Sequence, residues 1–341
     1  METVLVRAPN HLGDCVMALP AIHAAASFLP DNALYVLAPD WASVLYQNIP
    51  NVRLIHLEAS DLHGLKAIKR QVALIRKHRF TCGGVLPPSF SSALALYLGN
   101  VRNRYGFPGE GRGIFLNHPL PPPDRIMHRS HLYMDVLSAL CRTELSAGIV
   151  HLDITESMRE SVRSLYLEYN LKQDKSCVVI APRAVAESRR WGAKNYAALA
   201  GKMAERTGLR IILLGTIGEF DDGEIIAGNN PHVVNLCGKT DLGQAATILA
   251  GARLFVGNDS GLAHLASAVG TPLVVLSGAD RPAETSPSSD KKTVLLKDDL
   301  DCISCVKNVC KLKGDRFMQC MHLISVNEVW DAVRQRLESG S

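Results

Sequence analysis

The sequence predicts an α/β protein made of two doubly wound, Rossmann-like domains facing a central cleft. Three observations lead there. Short apolar runs alternate along the whole chain with stretches of helical length. The runs lack strict apolar/polar alternation, as expected of parallel strands covered on both faces. The 341 residues also exceed what one hydrophobic core organises, so two domains are the default.

In the first half, strands are expected at 3–8, 33–38, 52–57 and 82–87, with helices over 15–28, 40–47, 62–78 and 90–98. Leu65, Ile68, Val72 and Ile75 recur at i, i+3, i+7 and i+10, the spacing of one helix face. Pro20 predicts that the first helix kinks or begins late. The Gly- and Pro-rich run 103–123 reads as loop or short hairpin, and 128–143 as a helix. Thr155 is the expected N-cap of a helix over 155–170, followed by a polar linker at 171–176. The domains are accordingly expected at 1–172 and 173–341. The second half restarts the rhythm, with strands at 177–182, 210–215, 232–237, 253–258, 272–277 and 293–297. Helices fall near 194–206, 218–228, 241–250 and 260–269, and a Cys-rich segment leads into a terminal helix.

Composition narrows the function. Hydrophobic residues make up 47% and charged residues 21%, an ordinary globular balance. No run approaches the roughly 20 apolar residues of a spanning helix. Met1 leads directly into a strand with no basic leader, so a cytoplasmic location is expected. A net charge of +4 is too small to imply a nucleic-acid protein, and it suits anionic ligands or an anionic membrane surface. Nine cysteines without an export signal point to reduced thiols, and Cys15, Cys82, Cys141, Cys177 and Cys237 read as small buried apolar residues. Neither half carries a G-x-G-x-x-G turn between its first strand and helix, and "GEGRG" at 109–113 has the wrong context. A nicotinamide-dependent dehydrogenase is therefore disfavoured.

Two turns carry chemistry. "FVGNDSGLAHLASAVGTPLVVLSG" (255–278) runs from a strand through Asp259 and Ser260 into a helix, which Gly270 and Pro272 stop. Free N–H groups at such a helix start, with Gly261 leaving room, suit a diphosphate. A well-capped αβ connection would need the same residues. His264 lies one turn in, where a core histidine is the commoner case. "VRAPNHLGDCVMALPAIHAA" (6–25) places Asn10, His11, Gly13 and Asp14 in the first βα turn, at the carboxyl edge where parallel sheets bind ligands. Asp14 either caps the helix or acts as a general base. "RNRYGFPGEGRG" (102–113) with His128, Arg129 and His131 forms a basic edge. Trp191 is expected to anchor its loop in the core. The spacing C-x2-C-x4-C-x9-C at Cys302, Cys305, Cys310 and Cys320 leaves open a structural metal, free thiols or disulfides.

The N-D-S-G-x-x-H-x-A…G-T-P motif at 258–272 resembles the signature of glycosyltransferase family 9, the heptosyltransferases of the lipopolysaccharide inner core. Three more stretches are similar in the family's order: Gly13-Asp14 with Pro20-Ala21, "RAVAESRRWGAKNYAALA" at 183–200, and the Cys-rich tail, which is similar to the heptosyltransferase II branch. The resemblance implies the GT-B fold, with acceptor in the N-terminal domain and donor in the C-terminal one. It also implies transfer of L-glycero-D-manno-heptose from ADP-heptose to a lipid A-linked core sugar, with inversion and without metal or other cofactor. Peripheral contact with the inner face of the cytoplasmic membrane and no nucleic-acid partner are implied as well. Asp14 matches the family's general base, and Arg189 a diphosphate-binding position usually held by lysine. Glu219 falls where a carboxylate binds the donor ribose, and Asp259, Ser260, Gly261 and His264 in the donor turn. Asn10, His11, Gly13, Arg104 and Arg129 are the expected acceptor residues. "APRAVAE" departs from the family's Gly-containing loop. Other readings are a different GT-B nucleotide-sugar transferase, a nucleotide-sugar epimerase, or a non-catalytic glycan-binding protein.

Overall fold

A computed structural model describes residues 3–30, 33–146, 148, 152–172 and 175–339. The chain divides into two compact units, Met1–Val150 and His151–Ser341.

The first unit is built on a six-stranded sheet: β1 Val4–Arg7, β2 Leu34–Pro39, β3 Val52–Leu57, β4 Cys82–Val85, β5 Asn103–Gly106 and β6 His118–Pro119. All neighbours pair in parallel in the order β3-β2-β1-β4-β5-β6. Strands β1, β2 and β4 are wholly buried, the reason their sequences show no alternation. Leu5, Leu37, Leu57, Ile75, Val85 and Leu96 form the core of one face. The first helix breaks where Pro20 requires: Leu12–Met17 ends at Ala18, and Leu19–Phe28 begins with the proline in its first turn. Strands β5 and β6 lie in the run expected to be loop or hairpin, and they add in parallel rather than folding back.

The second unit repeats the plan with β7 Cys177–Ala181, β8 Arg210–Leu213, β9 Val233–Asn235, β10 Leu254–Asn258, β11 Leu273–Leu276 and β12 Lys292–Leu295. Its order, β12-β11-β10-β7-β8-β9, is the same winding read from the other edge. Val178, Ile180, Leu199, Leu213, Val256 and Val274 pack with Val329 and Val333 of the terminal helix Val326–Ser339. The division comes earlier than 172/173. Helices Glu156–Ser161 and Arg163–Glu168 belong with the second unit, where Gln244 Nε2 donates to Ser161 O (2.9 Å) and Leu152 N to Ala268 O (2.8 Å). Gln173 and Asp174, inside the expected linker, lie outside the described residues.

In both units the winding reverses between the first and fourth strands, β1 and β4 or β7 and β10. Loops leaving the carboxyl ends of these strands diverge there, which opens the crevice where doubly wound sheets take ligands. The segments after β1, β7 and β10 carry Asp14, Arg189 and Asp259 respectively.

Candidate active site

In the first unit, the chain leaves β1 at Arg7 and enters the helix Leu12–Met17 through Asn10 and His11. His11 holds the N-cap position in extended conformation (φ −111°, ψ 142°), and its side chain makes no capping bond. Asp14 is the third helical residue and therefore not the cap. Its carboxylate is held from the side: Arg129 Nη1 donates to Oδ1 at 2.7 Å and Tyr133 OH to the same oxygen at 3.1 Å. Arg129 and Tyr133 stand four residues apart on the helix Arg129–Cys141, hence on one face. Burial, reinforced by the Asp14 charge, holds the Tyr133 phenol well above its ordinary range, so it stays a donor. The Asp14 side chain is 14% exposed, and both donors engage Oδ1. Among the described residues no donor is seen on Oδ2, the oxygen that faces a ligand in a base role.

Beneath this turn lies a residue the sequence reading missed. Arg7 is 1% exposed and has no carboxylate partner among the described residues. It donates to Ala8 O, to Leu37 O at 3.4 Å and to Asn10 Oδ1 at 2.6 Å. Burial lowers its pKa to about 10. The signal was a charged residue closing an otherwise apolar strand. Asn10 is thus fixed from below, while His11 is exposed and Gly13 half-buried. Arg104 is committed to the scaffold: it donates to Phe115 O at 2.5 Å, Val101 O at 2.6 Å and Arg102 O at 3.1 Å, and stacks over Tyr97.

In the second unit, Asn258 is the buried knot that ties the loop after β7 to the end of β10. It donates to Pro182 O at 2.8 Å and accepts from Trp191 N at 3.2 Å and Tyr196 OH at 3.1 Å. Trp191 is the core anchor expected, buried with its indole N–H on Ile324 O at 2.7 Å. This fastening presents Arg189, whose Nη2 meets Asp280 Oδ1 at 2.7 Å. Asp259 follows β10 and is 3% exposed, with Oδ2 buried and unbonded among the described residues. Burial, then the neighbouring Asp280 charge, raises its pKa to about 7. His264 Nε2 lies 3.8 Å from Asp259 Oδ1. Ser260 takes the N-cap position of the helix Gly261–Ala268 without a side-chain cap bond, so the hydroxyl and the first-turn amides are available to an anion.

Glu219 closes a capping box instead of standing open: its Oε2 accepts from Thr216 N at 3.1 Å, and burial raises its pKa. A Cβ at Gly215 would sit 1.9 Å from Oε2, so glycine there makes room for the carboxylate. Arg183 pairs with Asp222 (3.1 Å), and Arg190 closes its own loop on Ala184 O and Val185 O. The four clustered cysteines do not converge as ligands: among the described residues, no group of three or more His, Cys, Asp or Glu is placed to hold a metal. Gln319 bonds Cys302 Sγ and Met318 N bonds Cys310 Sγ.

The family model described as glycosyltransferase family 9 (heptosyltransferase) matches residues 68–315. The chain belongs to glycosyltransferase family 9. Lipopolysaccharide heptosyltransferase 2 of Salmonella typhimurium is 29% identical over 311 residues, covering 86% of this chain and 87% of that one. The solved structure of E. coli ADP-heptose lipopolysaccharide heptosyltransferase II superposes with TM-score 0.79 at 25% identity and 99% coverage of both chains. A glycosyltransferase family 9 structure from Veillonella parvula shares the fold, with TM-score 0.83 at 19% identity, covering 99% of this chain and 97% of that one. Family membership makes this protein a glycosyltransferase, and its two parallel sheets are those of the GT-B family 9 fold. Among the described residues, no helix is long and apolar enough to cross a membrane.

Proposed function

We propose that this protein transfers L-glycero-D-manno-heptose from ADP-heptose to a hydroxyl of the lipid A-linked inner core, with inversion at the anomeric carbon and without a metal. The observation that carries this reading is the coincidence of family 9 membership with a carboxylate, Asp14, held by two donors on one oxygen. Inverting transfer asks for such a base and for support of the leaving diphosphate. The acceptor O–H bond breaks with its proton passing to Asp14 Oδ2. The oxygen forms its bond to the anomeric carbon as the bond from that carbon to the phosphate oxygen breaks, and the electron pair leaves with ADP. Arg129 and Tyr133 fix the carboxylate plane so that one lone pair is presented consistently.

In this reading Arg189 and the amides at Gly261 take the diphosphate, Glu219 the ribose through its second oxygen, and Asp259, Ser260 and His264 line the sugar. Asn10, His11, Gly13, Arg104 and Arg129 form the acceptor side; Arg129 acts there through Asp14 and Arg104 through the strand edge that it braces. The protein works in the cytoplasm, resting on the inner face of the membrane where a lipid-linked acceptor lies.

The test is a panel of nucleotide sugars offered with lipid A-linked inner core, scored by product mass and ADP release. ADP-heptose should be consumed with gain of one heptose by the acceptor, and EDTA should leave the rate unchanged. Transfer from a UDP-sugar alone, epimerisation without an acceptor, or loss of activity in EDTA restored by magnesium would each overturn the proposal.

A further inference from the structure

The donor-side reading leaves one buried carboxylate without a task. Asp280 follows β11, its side chain is 5% exposed, and it sits 2.7 Å from Arg189 Nη2. A second buried carboxylate, Asp259, lies close enough to be perturbed by it, and Asp259 N donates to Leu276 O at the end of the same strand. Lys292 is the other cation acting on Asp259, and its ammonium is already bonded to Ser286 Oγ and Pro287 O. Two carboxylates beside an anion site oppose anion binding by simple repulsion. A site that takes a diphosphate gains from Asp280 only through geometry.

That geometry is specific. A guanidinium carries N–H donors on three nitrogens in a rigid fork. Asp280 engages Nη2, while Arg189 Nε is buried and has no hydrogen-bond partner among the described residues. The two loops bearing the pair are fastened to one strap, residues 304–308. Ser188, beside Arg189, donates from its N–H to Asn308 O at 3.1 Å and from its hydroxyl to Lys307 O. On the other side, Ser304 N donates to Gly278 O at 3.0 Å and Val306 N to Ala279 O at 2.7 Å. Val306 holds φ 54°, a left-handed conformation that is costly for a β-branched residue. The strap accepts that strain while setting the spacing of the Arg189 and Asp280 loops.

We infer that Asp280 is a positioning residue of the donor site, anchoring Arg189 by one nitrogen so that its remaining guanidinium edge meets the diphosphate. This rests on the reading of Arg189 as the diphosphate residue. Arginine and aspartate act as one unit, and the planar fork explains why arginine serves where the family usually has lysine.

Calorimetry on the full chain tests it, with ADP and adenosine as probes of wild type, Asp280→Ala, Arg189→Ala and the double variant. Asp280→Ala should weaken ADP about tenfold, the scale of one charge-assisted hydrogen bond, and leave adenosine binding unchanged. In the Arg189→Ala background, Asp280→Ala should leave ADP binding unchanged or tighten it, because the guanidinium that Asp280 anchors is already gone and a negative charge beside the anion is removed. Asp280→Asn, which keeps an oxygen for Nη2, should recover most of the affinity. Equal weakening in both backgrounds, or loss of adenosine binding together with ADP, means a merely structural residue and overturns the inference. So does tighter ADP binding by Asp280→Ala in the otherwise native protein, which would make Asp280 a competitor. If Arg189→Ala itself leaves ADP binding intact, the diphosphate reading fails and takes the inference with it. If only the Asp280 variants are silent, that reading stands and the inference alone falls.

Discussion

Replacing Asp259 by asparagine should remove a pH dependence of stability that the fold has built in. The carboxyl is 3% exposed, and burial next to Asp280 raises its pKa from 3.8 to about 7. The sign follows from proton counts. Between about pH 4 and 7 the folded protein keeps this proton while the unfolded chain has lost it, so stability falls as pH rises through that window. Above pH 7 both states are ionised and the loss is complete. A shift of about three units at 1.36 kcal/mol each corresponds to a cost on the order of 4 kcal/mol. Asp259→Asn fits the same volume and never ionises. It should match wild type near pH 4 and exceed it in stability at pH 8 by a substantial part of that figure. Urea denaturation followed by tryptophan emission reads the effect, since Trp191 and Trp330 both belong to the second unit. Comparing variant with wild type at each pH cancels the titration of groups not coupled to Asp259. Parallel stability profiles across pH 4 to 8 would refute the reasoning, because they would mean that the site does not penalise the charge.

Arg129→Gln should lower turnover by roughly tenfold or more while leaving ADP affinity intact, because it removes the charge-assisted bond orienting Asp14. Tyr133→Phe, which removes the longer bond, should act in the same direction and more mildly. Arg7→Met should release Asn10 and raise the KM for acceptor by roughly tenfold, again with unchanged ADP affinity; a change in ADP binding instead would contradict the placement of acceptor contacts in the first unit. Vesicles containing anionic lipid should sediment the protein weakly at low salt and release it at high salt. Binding that resists salt would speak for insertion rather than surface contact.

Much of this architecture is legible in the sequence because the central strands of both sheets are buried on their two faces. Apolar runs such as those of β1, β2 and β10 then stand out from their flanks, and Pro20 announces the break at Ala18. Strands β5 and β6 were not legible. They are four and two residues long, largely polar, and defined by register against β4 and β5 rather than by their own pattern. The division at 150/151 escaped for a related reason: residues 156–168 form helices wherever they dock, and only tertiary contact assigns them to the second unit. Within the site, the turns carrying Asp14 and Asp259 are readable from local spacing. The partners are not, since Arg129 and Tyr133 reach Asp14 across more than 110 positions of chain. Asp280 meets Arg189 only because β11 lies beside β10, and β10 beside β7, in the sheet order.

The central claim is that Asp14 removes the acceptor proton during heptosyl transfer, and the most direct measurement is single-turnover transfer from ADP-heptose by Asp14→Asn. Asparagine keeps the side chain's shape and an oxygen for Arg129 and Tyr133, but it cannot accept the proton. The account predicts a melting temperature and ADP affinity near those of wild type, with the transfer rate lower by roughly two to four orders of magnitude. Transfer at the wild-type rate, or loss of the fold in place of loss of chemistry, would contradict it.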